Sequence, residues 1–198
     1  LVRGDAGLGK SRLSLELRQR LAGTVHRVLE FLCSPYTQST AFFPVIDALQ
    51  REWELDAGDP TVRLARLRER ADALTPEFDD ALALLASLLS IPVPDGQPLR
   101  EMAPQRLKER TLALLVALVT EMAANAPLLL VVEDLHWMDP STQELLDLLV
   151  ERAAETRTLL LLLYRPTFEC PWTVGDRVSR IDLARLDADL AIVFGGDG

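Results

Sequence analysis

Near its amino terminus the chain reads Gly4-Asp5-Ala6-Gly7-Leu8-Gly9-Lys10-Ser11-Arg12. Gly4, Gly9, Lys10 and Ser11 satisfy the phosphate-loop pattern G-x-x-x-x-G-K-[ST]. Successive backbone N–H groups in such a turn point inward and form a nest for phosphate oxygens. The helix that follows adds its positive end. Lys10 is then expected to reach the β- and γ-phosphates, and the Ser11 hydroxyl to ligate Mg²⁺. A second group is Glu133-Asp134, directly after the apolar run Leu128-Leu129-Leu130-Val131-Val132. Acids at the carboxyl end of a buried strand lie where open α/β sheets place their ligands. One could hold Mg²⁺ and the other polarise an attacking water; plain strand-end acids would give the same pattern. A third is Arg165, after the apolar Leu159–Leu163 and before Pro166. There it would neutralise phosphate charge, or simply mark the strand end at the surface.

These residues need elements to hold them. Leu1-Val2 reads as the end of a strand whose beginning is missing. Lys10 to Ala22 reads as a helix, with Leu13, Leu17 and Leu21 on one face. Residues 25–33 read as a strand closed by Ser34-Pro35. Helices are expected over 40–56, over 61–74 with Leu64, Leu67, Ala71 and Leu74 inward, and over 81–91. Ile91 to Pro98 reads as a rigid loop, and Pro104 to Ala124 as a long helix opened by proline. Leu128–Val132 is apolar throughout, as in strands buried on both faces of a parallel sheet. A helix starts at Asp139-Pro140-Ser141, with Ser/Asp capping chemistry and Glu144 three residues after Ser141 as in a capping box. Thr158–Tyr164 is a further buried strand and 178–183 a last short one. Strands alternating with helices imply a parallel α/β sheet with right-handed crossovers. The block from about 50 to 103 is a helical insertion. The whole of 1–198 reads as one domain cut short at both ends.

Of 198 residues, 48% are hydrophobic and 26% charged, an ordinary globular composition. The net charge is −9, which disfavours broad nucleic-acid or anionic membrane contact. Of 21 basic residues only Lys10 and Lys108 are lysine. Cys33 and Cys170 cannot build a disulfide framework, and His26 and His136 are too far apart in sequence to suggest a metal site. The amino terminus is interrupted by charges and is no signal peptide. The longest apolar runs, such as Leu112–Val119, are well short of the roughly 20 residues a membrane span needs. The expected location is the cytoplasm.

Val2–Leu13, Val132–Thr142 (Val-Glu-Asp-Leu-His-Trp-Met-Asp-Pro-Ser-Thr) and Tyr164-Arg165-Pro166 together resemble the Walker A, extended Walker B and sensor segments of AAA-type, origin-recognition-complex-like ATPase modules. Cys33-Ser34-Pro35-Tyr36 and Phe43-Pro44-Val45 fit as well. The match is nearest to STAND-class modules fused to bacterial adenylate/guanylate cyclases, protein kinases and large transcription regulators. The resemblance implies a three-layer P-loop NTPase sandwich, its parallel sheet ordered 5-1-4-3-2. It implies ATP and Mg²⁺, with the nucleotide state used as a signalling switch more than for rapid turnover. Residues 4–12 would bind nucleotide, Ser11 and Glu133 would hold the metal, and Asp134, Glu133 and Arg165 would serve catalysis. The family usually has Asp where this chain has Glu133. His136 and Trp137 belong to its motif, with an expected role in packing or coupling just beyond the site. A cyclase, kinase or transcription-regulator output module is the implied partner, and nucleotide-dependent oligomerisation stays open.

Other readings compete. A binding-only scaffold would keep the loop without hydrolysis. A replication-type, DNA-associated ATPase would need a basic patch, for which only Arg63, Arg66, Arg68 and Arg70 are candidates; a solvated helix face explains these equally well. A small-molecule P-loop kinase would need an Arg-rich lid, and none is recognisable.

Overall fold

The computed structural model describes residues 1–55, 59–72, 79–93, 99, 102–175 and 177–185. Their strands are β1 (Val2–Arg3), β2 (Arg27–Leu32), β3 (Leu128–Glu133), β4 (Thr158–Tyr164) and β5 (Ile181–Asp182). Their helices are α1 (Lys10–Leu21), α2 (Phe43–Glu52), α3 (Pro60–Asp72), α4 (Ala81–Leu88), α5 (Pro104–Asn125) and α6 (Pro140–Ala153). All pairings in the sheet are parallel, in the order β2-β3-β4-β1-β5. Read from the other edge, this is the expected 5-1-4-3-2.

Side chains alternate across a strand, so β2, β3 and β4 each feed two cores. Leu128, Leu130 and Val132 of β3, Leu29 and Phe31 of β2 and Leu162 and Tyr164 of β4 join one large cluster with α2 to α6. On the other face Val2, Leu129, Val131 and Leu163 pack against Leu17 and Leu21 of α1. Burial on both faces is why β3 needs no polar residue until Glu133. Each of its five apolar side chains contributes about 1.5–3 kcal/mol of burial.

The helices between β2 and β3 share the large core. Leu67 and Ala71 of α3, Leu84 and Leu85 of α4 and a long stripe of α5 are buried in it together. Loop residues 94–98, the end of the helix expected at 73–74 and the terminal stretch 191–198 lie outside the described residues.

Two local expectations change. On α1 the buried positions are Lys10 and Ser14, while Leu13 is 37% exposed. The amino-terminal turn of this helix serves the phosphate loop, and only its later turns reach the apolar core. At α6 the cap is Asp139, whose Oδ1 accepts the Ser141 and Thr142 N–H groups, each at 3.0 Å. Pro140 opens the first turn, so the capping position falls before Ser141. Glu144 instead accepts from Lys108 at 2.6 Å.

Candidate functional site

The parallel register brings the chemistry-bearing residues to one end of the sheet. Arg3 lies opposite Tyr164, and the Gly4 N–H donates to the Tyr164 carbonyl at 3.1 Å. The loop therefore leaves β1 level with Arg165, which leaves β4. On β4's other side β3 ends at Glu133, opposite Leu32 of β2.

In the loop Gly7 and Gly9 have φ of +80° and +87°. Any side chain would be strained there, and this left-handed turn sets up the start of α1. Asp5, Ala6 and Gly7 are exposed, Leu8 is half-buried, and Arg12 points to solvent. Lys10 is only 8% exposed. Its ammonium donates to the carbonyls of Gly4 at 2.8 Å and Asp5 at 2.9 Å. The lysine is thus folded over its own loop, and a phosphate would exchange with carbonyl partners.

Ser11 Oγ donates to Glu133 Oε2 at 2.7 Å. Residues 122 apart in sequence are joined here, and both present hard oxygen atoms. That donor pair fits Mg²⁺, which takes few protein ligands and completes its shell with water and phosphate oxygens. Among the described residues no group of three or more His, Cys, Asp or Glu could hold a metal alone. The longer reach of Glu133 is what meets Ser11 across the gap between β3 and α1.

Asp134 has a left-handed backbone, φ 51° and ψ 42°. Asp tolerates this region better than most residues, and strained conformations of this kind cluster at functional sites. Its side chain is 49% exposed. The chain then folds into a short 3₁₀ turn, Leu135–Trp137, with the Trp137 N–H donating to the Asp134 carbonyl at 2.8 Å. The His136 side chain is 7% exposed and its Nε2 lies 4.0 Å from Asp134 Oδ1. Burial pushes this imidazole below its ordinary pKa; Asp134 opposes the shift, and the charges of Arg165 and Lys10 add to it. The charges of Lys10, Asp134 and Arg165 therefore all reach the His136 ring. Arg165 is half-buried, and its Nε has no hydrogen-bond partner among the described residues.

A cavity of about 410 Å³ opens beside Ser11, Glu133 and Asp134 and runs along α1 past Ser14 to Arg18, with Glu30 and Leu32 of β2 on the far wall. Arg18 pairs with Glu30 across this cavity. Ser14 and Arg18 stand three and seven residues after Ser11, on the same helical face. That spacing was the available signal for them. A larger cavity, about 530 Å³, lies at the opposite end of the sheet among Leu1, Leu160, Trp172 and Ile181. None of Lys10, Ser11, Glu133, Asp134 and Arg165 lines it, so the smaller one marks the site.

Cys33 follows β2, and its N–H donates to the Glu133 carbonyl at 3.2 Å. Burial, then the charges of Asp139 and Asp134, push its thiol up to about 12. It stays protonated and serves as packing.

No helix among the described residues is long and apolar enough to cross a membrane. An uncharacterised protein of Rhizobium meliloti (strain 1021) is 28% identical over 192 residues, which are 96% of this chain. The chain spans 18% of the length of that relative. No solved structure matches the chain. The family model described as AAA ATPase domain matches residues 1–163. With the loop, strand order and strand-end residues described above, that match shows that the chain belongs to the AAA ATPase domain family.

Proposed function

We propose that this protein binds ATP with Mg²⁺, hydrolyses it slowly and acts in the cytoplasm as a regulatory switch. The observation that carries the reading is the 2.7 Å bond between Ser11 and Glu133, closed beside Lys10 at the mouth of the loop. Residues 4–12 would cradle the triphosphate through backbone N–H groups, with Lys10 released from the Gly4 and Asp5 carbonyls to the β- and γ-phosphates. Ser11 and Glu133 would hold Mg²⁺, which when bound neutralises phosphate charge. Asp134 would orient the attacking water and accept its proton. Arg165 would take up charge on the transferred phosphoryl group.

A binding-only scaffold is the second reading, favoured by the half-exposed Asp134 carboxylate. A base so open to solvent leaves water poorly excluded from the reacting centre. We further propose that the module belongs to the STAND class. It would report its nucleotide state to a cyclase, kinase or transcription-regulator module, with self-association as one means. The 18% coverage of the longer relative leaves room for such a neighbour in that protein.

Labelled ATP should bind the wild type in Mg²⁺ and bind Lys10→Ala about 100-fold more weakly or worse, given the charge-assisted bonds lost. Equal binding by both forms would refute the site. Phosphate release should fall at least about 100-fold in Asp134→Asn, the usual worth of a positioned base. Turnover that never exceeds background would select the scaffold reading.

A further inference from the structure

His136 has a pair of features that packing alone does not explain. Both ring nitrogens are fully buried, and neither has a hydrogen-bond partner among the described residues. Buried polar atoms are nearly always paired, so a doubly orphaned imidazole calls for a physical reason. A ring held only for its shape would be served better by Leu or Phe.

The ring cannot easily move to find a partner. It is tilted against Trp137, with centroids 5.1 Å apart. The turn that carries it is anchored by Leu135, which is fully buried in the large core. Asp134 Oδ1 lies 4.0 Å from Nε2, about 1 Å beyond a normal hydrogen bond. Asp134 is the less enclosed half of this pair, since nearly half of its side chain faces solvent. A small rotation of that carboxylate closes the gap. Protonation of the ring is not required, because a neutral imidazole with hydrogen on Nε2 is already a donor.

We propose that His136 is a positioning residue whose Nε2–H latches the Asp134 carboxylate into one rotamer when nucleotide fills the site. This rests on the ATPase reading above and deepens it: the carboxylate that orients water is itself held from behind, on the side away from solvent. The imidazole touches neither substrate nor water. It selects which way Asp134 points, and it does so only once the phosphate end of the site is occupied. Arg165 is close enough for its charge to act on the ring, and its own orphaned Nε faces the same change of state.

The test uses the whole chain, uniformly ¹⁵N-labelled, titrated with Mg²⁺ and a non-hydrolysable ATP analogue. His26, half-buried and bonded to Thr24, is the internal control, and His136→Gln assigns the second imidazole. On binding, the His136 ring should collapse to one tautomer with hydrogen on Nε2 and slowed exchange, while His26 stays unchanged. His136→Leu should keep its affinity for the analogue within about twofold, as expected for an interaction outside ground-state binding. Its turnover should fall about 100-fold, the scale of a misplaced catalytic group. His136→Gln, which retains an N–H donor, should restore part of that loss. Phosphate-loop amides that shift while the His136 ring does not would overturn the latch and leave the nucleotide site standing. Wild-type turnover in His136→Leu would do the same. No binding of the analogue at all would refute the nucleotide reading and the latch together.

Discussion

Lys10 is one of two lysines in the chain, and its ammonium is turned inward onto two carbonyls of its own loop. A cation in that position needs either those oxygens or phosphate oxygens, because an unpaired buried charge is costly. Its type and spacing were legible at once. The environment of His136 was not, because nothing in Leu135-His136-Trp137 reveals that the left-handed Asp134 folds the ring under the site. The buried ring makes a testable statement about pH. Its folded-state pKa lies below the ordinary His value, so the unfolded chain takes up the proton first. Stability from the neutral ring is complete above about pH 6.5 and is lost as pH falls through the folded-state value. Urea midpoints of the wild type should therefore drop on going from neutral to acid pH by more than those of His136→Gln. Equal drops would show that the ring gives no such penalty.

Asp139 decides how two elements meet. Its Oδ1 caps α6 and also accepts the Phe42 N–H at 3.0 Å, just before α2, while Oδ2 accepts the Thr142 hydroxyl at 2.5 Å. It is almost wholly buried. The cap was expected from Asp-Pro-Ser, but the bond to Phe42, 97 residues away, has no sequence signature. Phe42 sits at φ 58°, a strained position for an aromatic residue, and the carboxylate holds it there. Asp139→Ala should destabilise by about 2–4 kcal/mol, a lost cap plus orphaned buried N–H groups, measured by urea unfolding. A loss close to that of a surface cap alone would mean that Phe42 finds another acceptor. Helix positions followed the 3.6-residue period well, and their ends shifted by up to four residues. Those ends depend on which side chain reaches the free N–H groups, and that is settled by neighbours distant in sequence.

At the scale of the whole molecule, the two cores are unequal. One face of the sheet carries α2 to α6, whereas the other rests chiefly on α1. Leu130, at the centre of β3, is fully buried in the larger core. Leu130→Ala should cost about 3–5 kcal/mol from lost transfer energy and the cavity left behind, read as a shift in the urea midpoint. Because β3 ends at Glu133, a loosened β3 should also weaken the Ser11–Glu133 contact and hence Mg²⁺-dependent ATP binding. Stability lost with ATP affinity unchanged would show that the strand end is held independently of its middle.

The set of elements and the phosphate-loop pattern are written in the local sequence. Glycines at φ-demanding positions, a lysine after them and fully apolar strands ending in acids are local facts, read from neighbouring residues. The parallel sheet also followed, since strands separated by helices have few ways to pack. Assembly of the sheet sets the direct Ser11–Glu133 bond, seats Asp139 on Phe42 and leaves His136 unpaired behind Asp134. Each depends on elements 97 or 122 residues apart, or on a single left-handed residue turning the chain back. Contacts of that kind are set by register and packing of the assembled sheet, which no short window of sequence contains.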